Sequence, residues 1–201
     1  MLNERSIAIC YVGTMLMSKN KKIDQFIEGI IVSEKAMAIL AKPTAQEEKR
    51  ELAMAKYRLG VNLGKWAEAR GIAASLGKWK PMKRIMKSII ADGFASLEDF
   101  GANRFLGRAY YKLPAPLGSK KKSLESLGEA YKKTIDAGQN VSRQGLNVLF
   151  LAETFISMKN KNDARKILTK FIAVNGETFN PARIPETKKE QADARDLLNS
   201  L

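Results

Sequence analysis

Apolar residues recur along this chain at helical intervals. Ile23, Phe26, Ile27, Ile30 and Ile31 fall at i, i+3, i+4, i+7 and i+8, which is one stripe of an α-helix. Lys42-Pro43 ends that segment, and Thr44 with Glu47 forms a capping box for the next. The next helix runs through Leu52, Ala55, Leu59 and Leu63, with a turn expected at Asn62 to Trp66. Ala69, Ala73 and Leu76 then mark a short partner helix. Pro81 is expected to open a helix with Met82, Ile85, Met86, Ile89 and Ile90 on one face, closed by Asp92-Gly93. Helices follow around 100–111 and 123–136, separated by Leu113-Pro114. The segment 146–158 is apolar nearly all round, so it must be buried on most sides. Ala164, Ile167, Leu168, Phe171 and Ile172 make a one-sided helix. After a loop with Pro181 and Pro185, Thr187 and Glu190 cap a last helix faced by Ala194, Leu197, Leu198 and Leu201. With a first helix over the apolar stretch 7–17, the pattern predicts about ten helices and no convincing strand.

Two segments echo one another. Residues 104–131 carry Leu106-Gly107, Tyr110, Ser123, Leu127 and Ala130. Residues 149–172 carry Leu151-Ala152, Phe155, Ala164, Leu168 and Phe171. In the second segment the spacing is that of a tetratricopeptide helix pair, with small residues where helices touch and an aromatic wedge. In the first, extra residues fall in the turn Leu113 to Gly118. The Ala69, Ala73, Leu76 segment reads as a third, weaker unit. Each pair alone leaves an apolar stripe exposed, so the pairs must stack. The expected fold is all-α, a compact α-solenoid of stacked antiparallel helix pairs forming a single domain over 1–201.

Composition narrows the chemistry. The 201 residues contain no histidine and one cysteine, Cys10. Ser-His-Asp and Cys-His catalysis, HExxH zinc sites, intramolecular disulfides and cysteine-rich zinc sites are thereby excluded. Cys10 reads as a buried helix position. No catalytic set and no cofactor site are expected. The net charge is +14, shared nearly evenly between the two halves. Only Lys19 to Lys22 and Lys120 to Lys122 read as clusters. Neither is interleaved with aromatics, so nucleic acid is not the expected partner. No run is long and apolar enough for a transmembrane helix. The stretch 7–17 has the length of a signal-peptide core but lacks a basic leader and a cleavage site, so it reads as a helix of the fold.

Candidate binding residues are Trp66 and Trp79, whose rings are suited to an apolar cavity, and Arg104, Arg108 and Tyr111, which share a helix and are suited to an acidic group. For each the structural alternative is packing. Tyr110 is the expected wedge.

Three stretches read together carry a family resemblance: Tyr57-Arg58-Leu59-Gly60-Val61-Asn62-Leu63-Gly64-Lys65-Trp66, Arg104-Phe105-Leu106-Gly107-Arg108-Ala109-Tyr110-Tyr111-Lys112-Leu113-Pro114, and Lys189-Glu190-Gln191-Ala192-Asp193-Ala194-Arg195-Asp196-Leu197-Leu198. Their order resembles the T component associated with bacterial TRAP transporters, the TatT family, over roughly residues 50–201. The resemblance implies a periplasmic, all-helical, non-enzymatic protein with cryptic tetratricopeptide repeats. It further implies oligomerisation, pairing with the substrate-binding P component, and a part in uptake of an apolar ligand. Periplasmic location would require a trimmed export signal. The alternative is a cytoplasmic tetratricopeptide scaffold that recognises an acidic peptide; a basic nucleic-acid binder ranks third.

Overall fold

The computed structural model describes residues 19–201. Cys10 and the helix expected over 7–17 lie outside them. The fold is all-α, and adjacent helices pack as pairs. Among the described residues there are eight α-helices, α1 (Lys19–Ile39), α2 (Gln46–Arg70), α3 (Ile72–Ala91), α4 (Leu97–Lys112), α5 (Lys120–Lys133), α6 (Gly145–Ser157), α7 (Lys161–Ala173) and α8 (Ile184–Asn199), with a short 3-10 turn at Pro181–Arg183. A two-residue hairpin, Ile135–Asp136 against Val141–Ser142, is the β structure among them. Its turn forms because the Asp136 carboxylate accepts from the N–H groups of Gly138 and Gln139, both at 3.0 Å. The residues fall into two compact units that meet in sequence between Leu97 and Glu98.

In the first unit, three segments expected between 46 and 91 form two helices. No turn occurs at Asn62 to Trp66. Gly60 lies inside α2 because the Met86 methyl group of α3 occupies the space a Cβ would need. The reversal comes at Gly71, whose φ of 102° belongs to glycine. Its N–H still closes α2 by donating to Ala67 O at 2.9 Å. Pro81 does not open a helix but lies inside α3. Proline frees the carbonyl four residues back, and here that belongs to Gly77, which is exposed to solvent. The cap of α2 also shifts by one residue. Glu48, not Glu47, accepts from the N–H groups of Thr44 and Ala45 at 2.7 and 3.1 Å, and these bonds hold its carboxyl below the ordinary range. On α1 the buried face is rotated from the expected stripe. Phe26, Val32, Ser33 and Ala36 are buried, whereas Ile27 and Ile31 are 41% and 46% exposed. The rotation places Gly29 against Asn62 of α2, too close for any side chain.

In the second unit most echo residues take equivalent places; the exception is the wedge pair, where Tyr110 is buried and its counterpart Phe155 only partly so. Leu106, Tyr110, Ser123, Leu127 and Ala130 are buried, as are Leu151, Ala152, Ala164, Leu168 and Phe171. Gly107 lets α4 meet α5, since a Cβ there would stand 2.5 Å from Leu127 Cγ. The longer spacing of the first pair is absorbed by the turn 113–119. There Gly118 N–H donates to Pro114 O at 2.8 Å and Ser119 N–H to Tyr110 O at 2.9 Å. The corresponding turn between α6 and α7 spans 158–160, with Asn160 Oδ1 capping α7 through Asp163 N–H. The last helix begins at Ile184, ahead of the expected cap, with Pro185 in its first turn. Thr187 and Glu190 are therefore buried inside α8 and cap nothing. Gln191 instead caps its neighbour, donating to Phe171 O and Val174 O at 2.9 and 2.8 Å where α7 runs out of internal partners.

The start of α4 could not be read from periodicity. Glu98, Asp99 and Phe100 have φ of 52°, 53° and 60°, a left-handed turn without glycine. It is held from the side. Arg104 donates to the carbonyls of Glu98 and Asp99, both at 3.1 Å, and to Asn147 Oδ1 at 3.1 Å. Asn147, fully buried on α6, also donates to Ala130 O and Thr134 Oγ1. Arg143 grips the Asp99 carboxylate at 2.9 Å.

Candidate functional site

An open groove of about 690 Å³ lies on the second unit between α5 and α7, floored by α6. The helical repeat creates it. On α5 the residues Ser123, Leu127, Ala130 and Thr134 face the core. Leu124 and Tyr131, two turns apart, are left on the adjacent flank and line the groove. Leu151 and Phe155 of α6 supply the floor, and Ile167 supplies the α7 wall. Burial raises the Tyr131 hydroxyl above its ordinary pKa of 10.0.

The rim is charged, and the charges are ordered. Ser123 near the start of α5 bonds Thr154 near the end of α6 at 2.9 Å. Asn147 at the start of α6 reaches Ala130 O near the end of α5. Phe171 near the end of α7 lies beside Gly145. Both α5 and α7 therefore run antiparallel to α6 and parallel to one another. Their sequences then place Glu125 and Asp163 at one end of the groove and Lys132 and Lys170 at the other, with Glu129 and Lys166 between. Among the described residues Glu125, Lys132, Lys166 and Lys170 have no ion-pair partner. The groove is thus apolar along its length, acidic at one end and basic at the other.

None of the five sequence-derived candidates lines this groove. Trp66 and Trp79 belong to the first unit. Trp66 is half-buried, with Arg70 and Lys78 over its ring at 5.6 and 5.8 Å. Trp79 is buried, with Lys83 at 5.9 Å from its ring centre. Arg104 is 7% exposed and serves the left-handed turn. Arg108 and Tyr111 do come together, 5.2 Å apart. Arg108 also pairs with Glu153 and stacks over Phe150 at 4.2 Å. Lys120 Nζ sits 3.7 Å from the Tyr111 ring centre. An acidic ligand at Arg108 would have to displace Glu153. The groove residues were visible in the sequence only as the i, i+7 pair Leu124 and Tyr131 beside the core stripe.

The carboxylate of Glu190 is the buried acid nearest the start of α6, at Gly145, where a Cβ would overlap it. Arg183 donates to Oε1 at 3.1 Å, and Oε2 is buried without a partner. Burial, opposed by Arg183, lifts its pKa above the ordinary 4.5. The folded state therefore holds this proton more tightly than the unfolded chain. Its contribution to stability is fully present below pH 4.5 and is lost as pH rises through the raised value. Glu190→Gln should remove that dependence and make the protein more stable than wild type at pH 7. Urea titrations of both proteins at pH 4 and pH 7 check this; parallel pH profiles would contradict it.

Among the described residues no three His, Cys, Asp or Glu side chains converge as metal ligands, and no helix is long and apolar enough to cross a membrane. No family model matches the chain, and a search of characterised proteins finds no match.

Proposed function

We propose that this chain is a non-enzymatic helical-repeat binding protein, similar to the TRAP-associated T component. Its binding site is the groove between α5 and α7. The observation that carries the reading is this groove, apolar along its floor and within the size range of small-molecule sites. It is suited to an apolar small ligand or an apolar segment of a partner protein. The family-like stretches support the P component as that partner and a periplasmic location, and an adjacent gene for a P component would be the expected genomic setting. An acidic peptide is the second reading, favoured by Lys132, Lys166 and Lys170 on the rim.

The test is binding of a neutral apolar fluorescent probe, N-phenyl-1-naphthylamine. Leu124→Asp should weaken it at least about fivefold, because a carboxylate replaces apolar wall area. Trp66→Ala should leave it unchanged, and both variants should keep the helical spectrum. The opposite pattern would move the site to the first unit and end the groove reading.

A further inference from the structure

We propose that the outer face of α3 is a docking surface for an anionic lipid bilayer. This inference is independent of the groove, since α3 belongs to the first unit. Ile72, Leu76, Lys80, Lys83, Arg84 and Lys87 fall within about a third of the helix circumference at 3.6 residues per turn. They form one continuous stripe about 22 Å long at 1.5 Å per residue. Ile72 is 55% and Leu76 38% exposed, and Lys80, Arg84 and Lys87 are exposed as well. The helix contains no acidic residue. Among the described residues Lys80, Arg84 and Lys87 have no ion-pair partner, and the cations border an open hollow of about 530 Å³.

The composition of the stripe selects the partner. A nucleic acid could take Lys80, Arg84 and Lys87 at its phosphates or guanine edges, but would leave Ile72 and Leu76 facing water. Stacking needs an exposed ring, and Trp79 is buried. A purely acidic peptide leaves Ile72 and Leu76 facing water. A bilayer satisfies both halves: the aliphatic pair enters the headgroup boundary while the lysine and arginine heads stay at the phosphates. Each cation near such a surface contributes about a fivefold gain in partition.

Sedimentation of the full chain with phosphatidylcholine vesicles containing about one third phosphatidylglycerol tests this. Wild type should bind them and leave pure phosphatidylcholine vesicles alone. Lys80→Glu/Lys87→Glu should weaken partition by roughly 100-fold or more. The same reversal at Lys121 and Lys122 should change it by no more than about threefold. Ile72→Ser/Leu76→Ser should weaken it about tenfold. All these positions are exposed, so helical spectra should stay intact. The proposal is overturned if wild type fails to bind at low salt, or if the two charge reversals act equally, since net charge would then be the cause. It is also overturned if the serine variant binds like wild type while polyglutamate binds as tightly as vesicles, because the face would then be one for acidic polypeptide.

Discussion

Arg104→Ala should destabilise the second unit by about 2–4 kcal/mol, since three hydrogen bonds from one buried cation are lost together. The left-handed residues 98–100 cost on the order of 1–2 kcal/mol each relative to ordinary backbone. They persist because the Arg104 guanidinium satisfies two of their carbonyls and the Asn147 amide oxygen together. Alanine takes the guanidinium donor from buried Asn147 Oδ1, leaves the Asp99 carbonyl with only the Asn147 amide, and removes the side chain that spans residues 98–100 and α6. Arg104→Lys should not restore stability, since one ammonium cannot reproduce the planar fork that reaches three acceptors. Denaturant unfolding followed by circular dichroism is the measurement. A loss below about 1 kcal/mol would show that the turn is held by other contacts. A lysine variant equal to wild type would show that charge, and not geometry, is what Arg104 supplies.

Ala164→Glu should be comparably damaging, at several kcal/mol. Ala164 is fully buried, one turn into α7. Two effects oppose each other there. A carboxylate near a helix N-terminus gains roughly 0.3–1 kcal/mol from the aligned peptide dipoles. Burying an unpaired carboxylate and forcing its volume into close-packed space costs more, so the net change is strongly unfavourable. Ala164→Ser adds one small polar atom and should lose only about 1 kcal/mol. A melting temperature for the glutamate variant within a degree or two of wild type would mean that α7 does not pack through Ala164.

Helix content and the paired arrangement were legible because burial follows a period of 3.6 residues, and that period is written in the order of apolar side chains. The echo of 104–131 with 149–172 predicted which small residues lie between helices, and Ala152, Ala164, Ser123 and Ala130 are buried accordingly. Breaks were less legible. Gly60, Gly64 and Pro81 look like punctuation, yet all lie inside helices; Gly60 packs against Met86, and the carbonyl that Pro81 leaves without its helical partner belongs to exposed Gly77. Gly71, unremarked in the pattern, makes the turn.

Which candidate site residues are already engaged within the fold was not legible in the sequence, for a physical reason. A side chain's chemistry is local, but its availability depends on what faces it from distant parts of the chain. Arg104 and Arg108 are cations in sequence and become structural only when Asn147 and Glu153 arrive some forty residues later. Glu190 looks like a cap until α8 begins early and buries it beside Arg183. The groove needs α5 and α7 parallel, and the cationic stripe of α3 needs Pro81 to continue a helix. The sequence by itself determined the helices and the faces that must be covered; only tertiary contacts decided which charges were used internally and which were left for a partner.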